Sequence, residues 1–363
     1  MLHAVVMAGG AGTTFWPESR VSKPKQLLSL TGEKPMIAET LSRLRPLIPP
    51  ERTWVVCAQA QAKGIQEACP ELNSKNLIVE PCRRDTAACA GLAALIISSQ
   101  DPEAVLAMLP ADHEITPPQA FQDALETGAS IARKSGALVT FGIKPTRPAT
   151  GYGYIRRGEI LEEAKSGRFW AVDRFTEKPN SNLAQEFLAD SSYFWNSGIF
   201  AWEAKTLLAQ IETHLPRLSA GLETLRSCLA EGNLSESLAS LYPTLPSISL
   251  DYGILEKAEN VIVMEASFDW SDLGSWDSLW EEAEKDEKGN AAVLPDGGAL
   301  IAQNSSGVLA YSSDEQTIAL LGVHDLVVVR TPDVVLVAQR DRVEEVKDLV
   351  EKMRSQGRED LLE

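Results

Sequence analysis

The chain has 363 residues, 44% hydrophobic and 23% charged, which suits one or two globular domains and excludes a disordered, collagen-like or small disulfide-stapled protein. Its 51 Asp+Glu against 34 Lys+Arg leave a formal charge of -17, which disfavours duplex nucleic acid as a partner. An acidic protein still binds phosphates, through a local basic site or a metal ion.

No apolar run reaches the length of a membrane span, so no membrane partner is expected. The opening MLHAVVMAGGAG lacks a basic region and a small-residue cleavage site, so no signal peptide is read there. Cys57, Cys69, Cys82, Cys89 and Cys228 make an odd count without a CxxC pair, which points to reduced thiols in the cytosol.

Over the first half, strand-like runs alternate with helical spacing. Ala4–Met7, Trp54–Cys57, Leu77–Glu80, Val105–Leu109 and Ala137–Ile143 read as strands, and Met36–Leu44, Thr86–Ser99 and Ala120–Lys134 as helices. That order implies an α/β fold with a mostly parallel sheet and helices on both faces. Ligands then bind at the edge where the strands end. Tyr152–Arg156 and Ala171–Glu177 read as strands around a polar turn, Ala184–Ala189 as a short helix and Ser197–Trp202 as a strand. Residues 203–260 read as mostly helical. From Asn290 the character changes to short strands at Ala299–Ala302, Val308–Tyr311, Thr317–Leu321, Leu326–Arg330 and Val334–Ala338, closed by a helix at Arg342–Arg354. The expected division is residues 1–285 and a small β-rich domain over residues 286–363.

Three segments carry chemistry. Gly9, Gly10 and Gly12 follow a buried strand, so backbone N–H groups there can approach phosphate oxygens, and Lys25 lies just downstream. No GK[ST] follows, and Trp16-Pro17 interrupts any dinucleotide fingerprint. Asp112, in Pro110-Ala111-Asp112-His113, stands at the end of an apolar strand, where a carboxylate can hold Mg²⁺ against phosphates or simply cap a turn. In the segment from Phe268 to Trp276, Asp269 and Asp272 stand between aromatic residues, and either can complete a metal site or cap the helix that begins near Trp276.

Taken in order, AGGAGTTFWPESR, KPKQ, EPCRRDTAA, LPADHEI, TGYGYI, FTEKP, YFWNSGIF, LDYGILEK and FDWSDLGSWD resemble the sugar-phosphate nucleotidyltransferases. Within them the segments are most similar to the guanylyltransferases that act on mannose 1-phosphate. The resemblance covers residues 4 to about 281. It implies a Rossmann-like nucleotidyltransferase domain with a mixed, mostly parallel sheet. It also implies the reaction of GTP with mannose 1-phosphate to give GDP-mannose and diphosphate. The sugar phosphate attacks the α-phosphorus in line, with Mg²⁺ as cofactor. It further implies roles. Asp112 and Asp272 would be metal ligands, with Asp269 the weaker candidate, and Lys25 would contact the phosphates. Gly9, Gly10, Gly12 and Thr13 would form the nucleotide loop, with Glu80, Asp85 and Thr86 near the base. A carboxylate at Glu80 suits the two donors on one edge of guanine. Gly153, Glu177, Lys178 and Asn196 would meet the sugar phosphate.

Two positions depart from the family pattern: Thr14 stands where an arginine is usual, and Asp85 where an asparagine is. Arg20, Arg83 and Arg84 are the candidates to compensate. Two alternatives stay open: transfer with another nucleotide or hexose phosphate, and a catalytically weak, sugar-nucleotide-binding regulatory role. A homodimer also stays open. The chain ends before any isomerase-type cupin domain, so a single activity is expected.

Overall fold

The computed structural model describes residues 1–10, 13–164 and 167–363. In chain order the first part holds β1 (Leu2–Met7), α1 (Met36–Arg43), β2 (Thr53–Ala58), α2 (Ala62–Ala68), β3 (Leu77–Glu80), α3 (Asp85–Gln100), β4 (Val105–Pro110), β5 (Glu114–Thr116), α4 (Pro118–Ser135) and β6 (Leu138–Ile143). There follow β7 (Tyr154–Ala164), β8 (Gly167–Thr176), α5 (Ser181–Ala189), β9 (Tyr193–Glu203), α6 (Ala204–His214), α7 (Pro216–Ala230), α8 (Leu234–Leu241), β10 (Val261–Glu265), β11 (Asp269–Ser271) and α9 (Trp276–Glu282).

Nine of these strands form one sheet in the order β3-β2-β1-β4-β9-β6-β10-β8-β7. Only β8 and β9 run against the others, so the sheet is mixed and mostly parallel in direction. The parallel half puts the ends of β1, β3 and β4 at one edge, since Met7 pairs with Pro110 and Ala58 with Glu80. The Gly9 loop, the segment after Glu80 and the Asp112 loop therefore leave the sheet side by side. On one face the alanine-rich α3 is buried under α6 and α7, and on the other α1 and α4 cover the sheet.

Strand β10 follows the helical stretch directly and inserts between β6 and β8. Where it crosses β6 the space is tight. A Cβ on Gly142 would lie 2.7 Å from the Phe194 Cβ and 2.8 Å from the Val263 Cγ2. Because neither atom is the tip of a flexible chain, Gly142→Ala is expected to cost roughly 1–3 kcal/mol through overpacking. Urea unfolding at equal m-value checks this, and an unchanged midpoint would refute it.

The C-terminal region holds β12 (Ala291–Val293), β13 (Ala299–Gln303), β14 (Leu309–Ser312), β15 (Thr317–Leu321), β16 (Leu326–Arg330), β17 (Val335–Gln339) and α10 (Val346–Ser355). Ala291 pairs with Leu309, and Leu309 with Val327, so the parallel ladder climbs by 18 residues per step. A second ladder, β13 on β15, steps by the same amount, Ala299 to Thr317. This is a short parallel β-solenoid, closed by the antiparallel β17.

The solenoid does not stand apart from the rest. One apolar cluster joins Phe15, Trp16 and Leu28 with Leu273, Trp276, Tyr311, Val346 and Val350. Trp16 Nε1 donates to the Leu361 carbonyl at 2.9 Å. The segment after the glycine loop thus packs directly on the C-terminal region. Among the described residues, no helix is long and apolar enough to cross a membrane.

Candidate active site

Lys25 is the hinge of the site. It lies in a short 3₁₀ turn after Pro24 and is buried. Its ammonium donates to the Asp272 carbonyl at 2.6 Å and pairs with Asp112 Oδ2 at 3.0 Å. Burial alone would raise the Asp112 carboxyl, but Lys25, helped by His113, holds it below its ordinary value. Asp272 follows β11, which pairs with β5 next to Asp112. One Asp272 oxygen, Oδ1, accepts from the Tyr152 hydroxyl at 2.7 Å and from the Gly274 N–H at 3.1 Å. One ammonium therefore ties the Asp112 carboxylate to the backbone of Asp272, two positions far apart in the chain. Asp269 lies in β11 itself and is exposed.

His113 is not left as a charged group. Burial first, and the nearby cations, push it down to about 4, so it is neutral near pH 7. Trp270 Nε1 donates to its Nδ1 at 3.0 Å, which leaves the proton on Nε2.

The glycine loop is pinned from beneath. Gln26 donates to the Ala8 carbonyl at 2.6 Å and Gln61 to the Gly10 carbonyl at 3.0 Å, and both amides are buried. A Cβ on Gly9 would sit 3.4 Å from Glu80 Oε2, whereas the space beside Gly10 is open. Gly12 lies outside the described residues, and Thr13 begins a 3₁₀ turn. Glu80 is buried, and its Oε1 accepts a short hydrogen bond from Tyr242. Burial raises its carboxyl above the ordinary value despite that bond. One of the two acceptor oxygens expected to face a base is thus already engaged. Asp85 has φ 62° and accepts from the Thr86 N–H at 2.8 Å, so it turns the chain into α3. The Thr86 hydroxyl accepts from the Leu250 N–H at 2.8 Å.

A cavity of about 220 Å³ opens beside these groups, with Thr86, Gly153, Glu177, Asn196 and Asp272 in its wall. Several separate stretches of sequence meet there. Asn196 N–H donates to the Gly153 carbonyl at 2.8 Å across the β7–β9 pairing. Lys178 stays at the rim, more than half exposed, and donates to Glu177 Oε1 at 2.8 Å.

Sequence reasoning missed Asp251. It opens a π-helical turn, Asp251–Leu255, lines the same cavity and accepts from Asn196 Nδ2 at 3.1 Å. π-turns concentrate at functional sites. The only signal was its place at the head of LDYGILEK. Burial, then the Glu177 charge, pushes Asp251 up to about 7 from 3.8. The folded chain then holds a proton that the unfolded chain releases above about pH 4, so this group costs stability as pH rises through 7. Asp251→Asn is expected to be more stable than the parent by on the order of 2 kcal/mol at about pH 8, with the gap closing towards about pH 4. Parallel stability curves for the two proteins over that range would refute the shift.

The expected stand-ins for the missing arginine are otherwise placed. Arg20 bonds both Asp333 oxygens, at 2.9 and 3.0 Å, and the Leu361 carbonyl, so it braces the C-terminal region. Among the described residues Arg84 Nε is buried without a hydrogen-bond partner, and Arg83 lies near Glu80.

Residues 3–289 match the nucleotidyl transferase family, and residues 298–353 match the MannoseP isomerase/GMP-like beta-helix domain. The chain is 37% identical to a mannose-1-phosphate guanylyltransferase of Salmonella typhimurium, over 98% of its own length and 74% of that protein's. It is 38% identical to a mannose-1-phosphate guanylyltransferase of Klebsiella pneumoniae, over 99% and 75%. Among solved structures it is similar to a Thermus thermophilus protein described as a mannose-1-phosphate geranyltransferase. That likeness has a TM-score of 0.86 and 35% identity, over 97% of this chain and 99% of the other.

Proposed function

Because the chain belongs to the nucleotidyl transferase family, we propose that it transfers a guanylyl group from GTP to mannose 1-phosphate, giving GDP-mannose and diphosphate. The observation that carries this reading is the likeness, over nearly the whole chain, to enzymes named for that reaction. The site agrees with it in chemistry. The attacking phosphate is already an anion, so no general base and no covalent intermediate are required. What the protein supplies is alignment and neutralisation of crowded negative charge.

Asp112 and Asp272 suit a divalent cation. They offer hard oxygen donors, Lys25 keeps Asp112 ionised, and among the described residues no cluster of three or more acidic, His or Cys side chains forms a closed cage. That donor set fits Mg²⁺, which binds through one or two carboxylates plus phosphate oxygens. When bound there, the ion would neutralise phosphate charge. Lys25 fixes the two acidic loops relative to each other. Gly9 and Gly10 leave backbone N–H groups open to phosphate oxygens. Glu177, Asn196 and Asp251 offer carboxylate and amide groups to sugar hydroxyls, and Lys178 at the rim suits the sugar phosphate.

The test is a diphosphate-release assay over a matrix of nucleoside triphosphates and sugar 1-phosphates with Mg²⁺. GTP with mannose 1-phosphate is expected to give the highest kcat/KM. A preference for another pair would overturn the substrate assignment. No transfer with any pair, alongside retained binding of GDP-mannose, would replace the enzyme by a regulatory binder.

A further inference from the structure

Thr14 borders a second cavity, of about 300 Å³, which shares Gly151, Tyr152 and Asp272 with the first. Its far wall comes from the C-terminal region, where the 3₁₀ turn Arg340–Glu345 brings Glu344 and the start of α10 brings Val346 and Lys347. Its near wall is the loop after β6, which brings Arg147. The protein as a whole repels anions at a formal charge of -17, so a polyphosphate needs local cations. Most cations nearby are engaged. Lys25 is held by Asp112 and the Asp272 carbonyl, Arg20 by Asp333, and Lys23 by Glu18 at 2.7 Å.

Arg147 and Lys347 are different. Lys347 is exposed and, among the described residues, makes no ion pair or hydrogen bond. Among the described residues, the direct contacts of the Arg147 guanidinium are with neutral groups. It lies 5.5 Å from the Tyr152 ring centroid and 5.9 Å from that of Trp195, and Nη2 donates to the Tyr152 hydroxyl at 3.3 Å. That hydroxyl in turn donates to Asp272. Arg147 is therefore positioned beside Asp272 and, among the described residues, forms no ion pair, although the Asp277 carboxylate lies within its electrostatic reach. The opposing charges in the wall are Asp272 and Glu344. Asp277, nearby, is paired with Arg340 at 2.9 Å.

We propose that Arg147 and Lys347 form the subsite for the diphosphate end of the nucleotide, so that the C-terminal region contributes a cation to the active site. This rests on the guanylyl-transfer reading above. It also accounts for Thr14: a short side chain there leaves the cavity open, and the positive charge enters from two other elements. Charge-assisted contacts to phosphate oxygens are the strong class of hydrogen bond, and an arginine fork adds direction to them.

The test uses the full chain with Mg²⁺ and inorganic diphosphate as the probe, read by calorimetry. Lys347→Ala and Arg147→Ala are each expected to weaken diphosphate binding about tenfold, the size of one charge-assisted contact. Glu344→Gln is expected to tighten it. In turnover, KM for GTP should rise in both alanine variants while KM for mannose 1-phosphate holds. Thr14→Arg in the Lys347→Ala background should recover part of the loss. Unchanged diphosphate affinity in both alanine variants would overturn the proposal, as would a rise in KM for mannose 1-phosphate alone. Lys347 is exposed, so its variant keeps the test intact if Arg147→Ala folds poorly. A wild-type chain that binds diphosphate through these residues but prefers another substrate pair would overturn the function, not this subsite.

Discussion

Asp112→Ala is expected to lower turnover roughly 10³-fold or more, because it removes one of two carboxylates available to a metal ion. The loss belongs in kcat, since Asp112 lies at the acidic pair and not in the wall of the sugar-side cavity. A stability effect comes with it. Lys25 loses its carboxylate and keeps only the Asp272 carbonyl, which should cost about 1–3 kcal/mol. Because the folded Asp112 carboxyl is held below its ordinary 3.8, its contribution is present above that pH and fades as pH falls through the folded value. Asp112→Asn keeps the volume and separates the two effects: it should fold nearly as well and remain inactive. Steady-state kinetics with Mg²⁺ and urea unfolding check both parts. Turnover within about tenfold of the parent in either variant would sink the assignment of Asp112.

Lys25→Ala is expected to lower turnover on the order of 10²-fold or more, in line with the loss of one preorganised electrostatic group. The buried position gives the prediction a second readout. Without the ammonium, the main effect opposing the burial that favours the protonated form of Asp112 is gone, so its carboxyl should rise. The acid limb of the pH–rate profile should then move to higher pH, which loss of a surface lysine would not produce. Lys25→Arg should restore charge without the same fit, because Nζ reaches two oxygens at 2.6 and 3.0 Å in a closed space. An unmoved acid limb and an unchanged rate would reduce Lys25 to a structural residue.

Much of this molecule was legible in the order of its residues. Leu77–Glu80, Thr317–Leu321 and Leu326–Arg330 form strands at the bounds that their apolar runs suggest. Alternating strands and helices pointed to the parallel half of the sheet and so to the edge where Gly9, Glu80 and Asp112 emerge. These signals are local: periodicity, turn residues and strand ends all act within a few positions. Similar runs in the C-terminal region gave its strands but not its architecture. The 18-residue step of the solenoid lies in the pairing of Ala291 with Leu309 and of Leu309 with Val327, and no repeated motif marks it.

Other features arise only from the tertiary structure, because they join residues far apart in sequence. Val261–Glu265 had no strand reading beside a long helical stretch, yet it completes the sheet between β6 and β8. Asp251 gains its raised carboxyl from burial next to Glu177, a residue distant in the chain, and neither group carries a local mark of that meeting. Arg20 has no sequence feature that assigns it to Asp333 and the Leu361 carbonyl rather than to a phosphate. Lys25 was legible as a candidate phosphate contact, but its burial against Asp112 and the Asp272 carbonyl was not. Sequence determined which chemical groups are present and which strands could form. Burial and long-range pairing, which set the charge, the partners and the freedom of each group, were decided by packing alone.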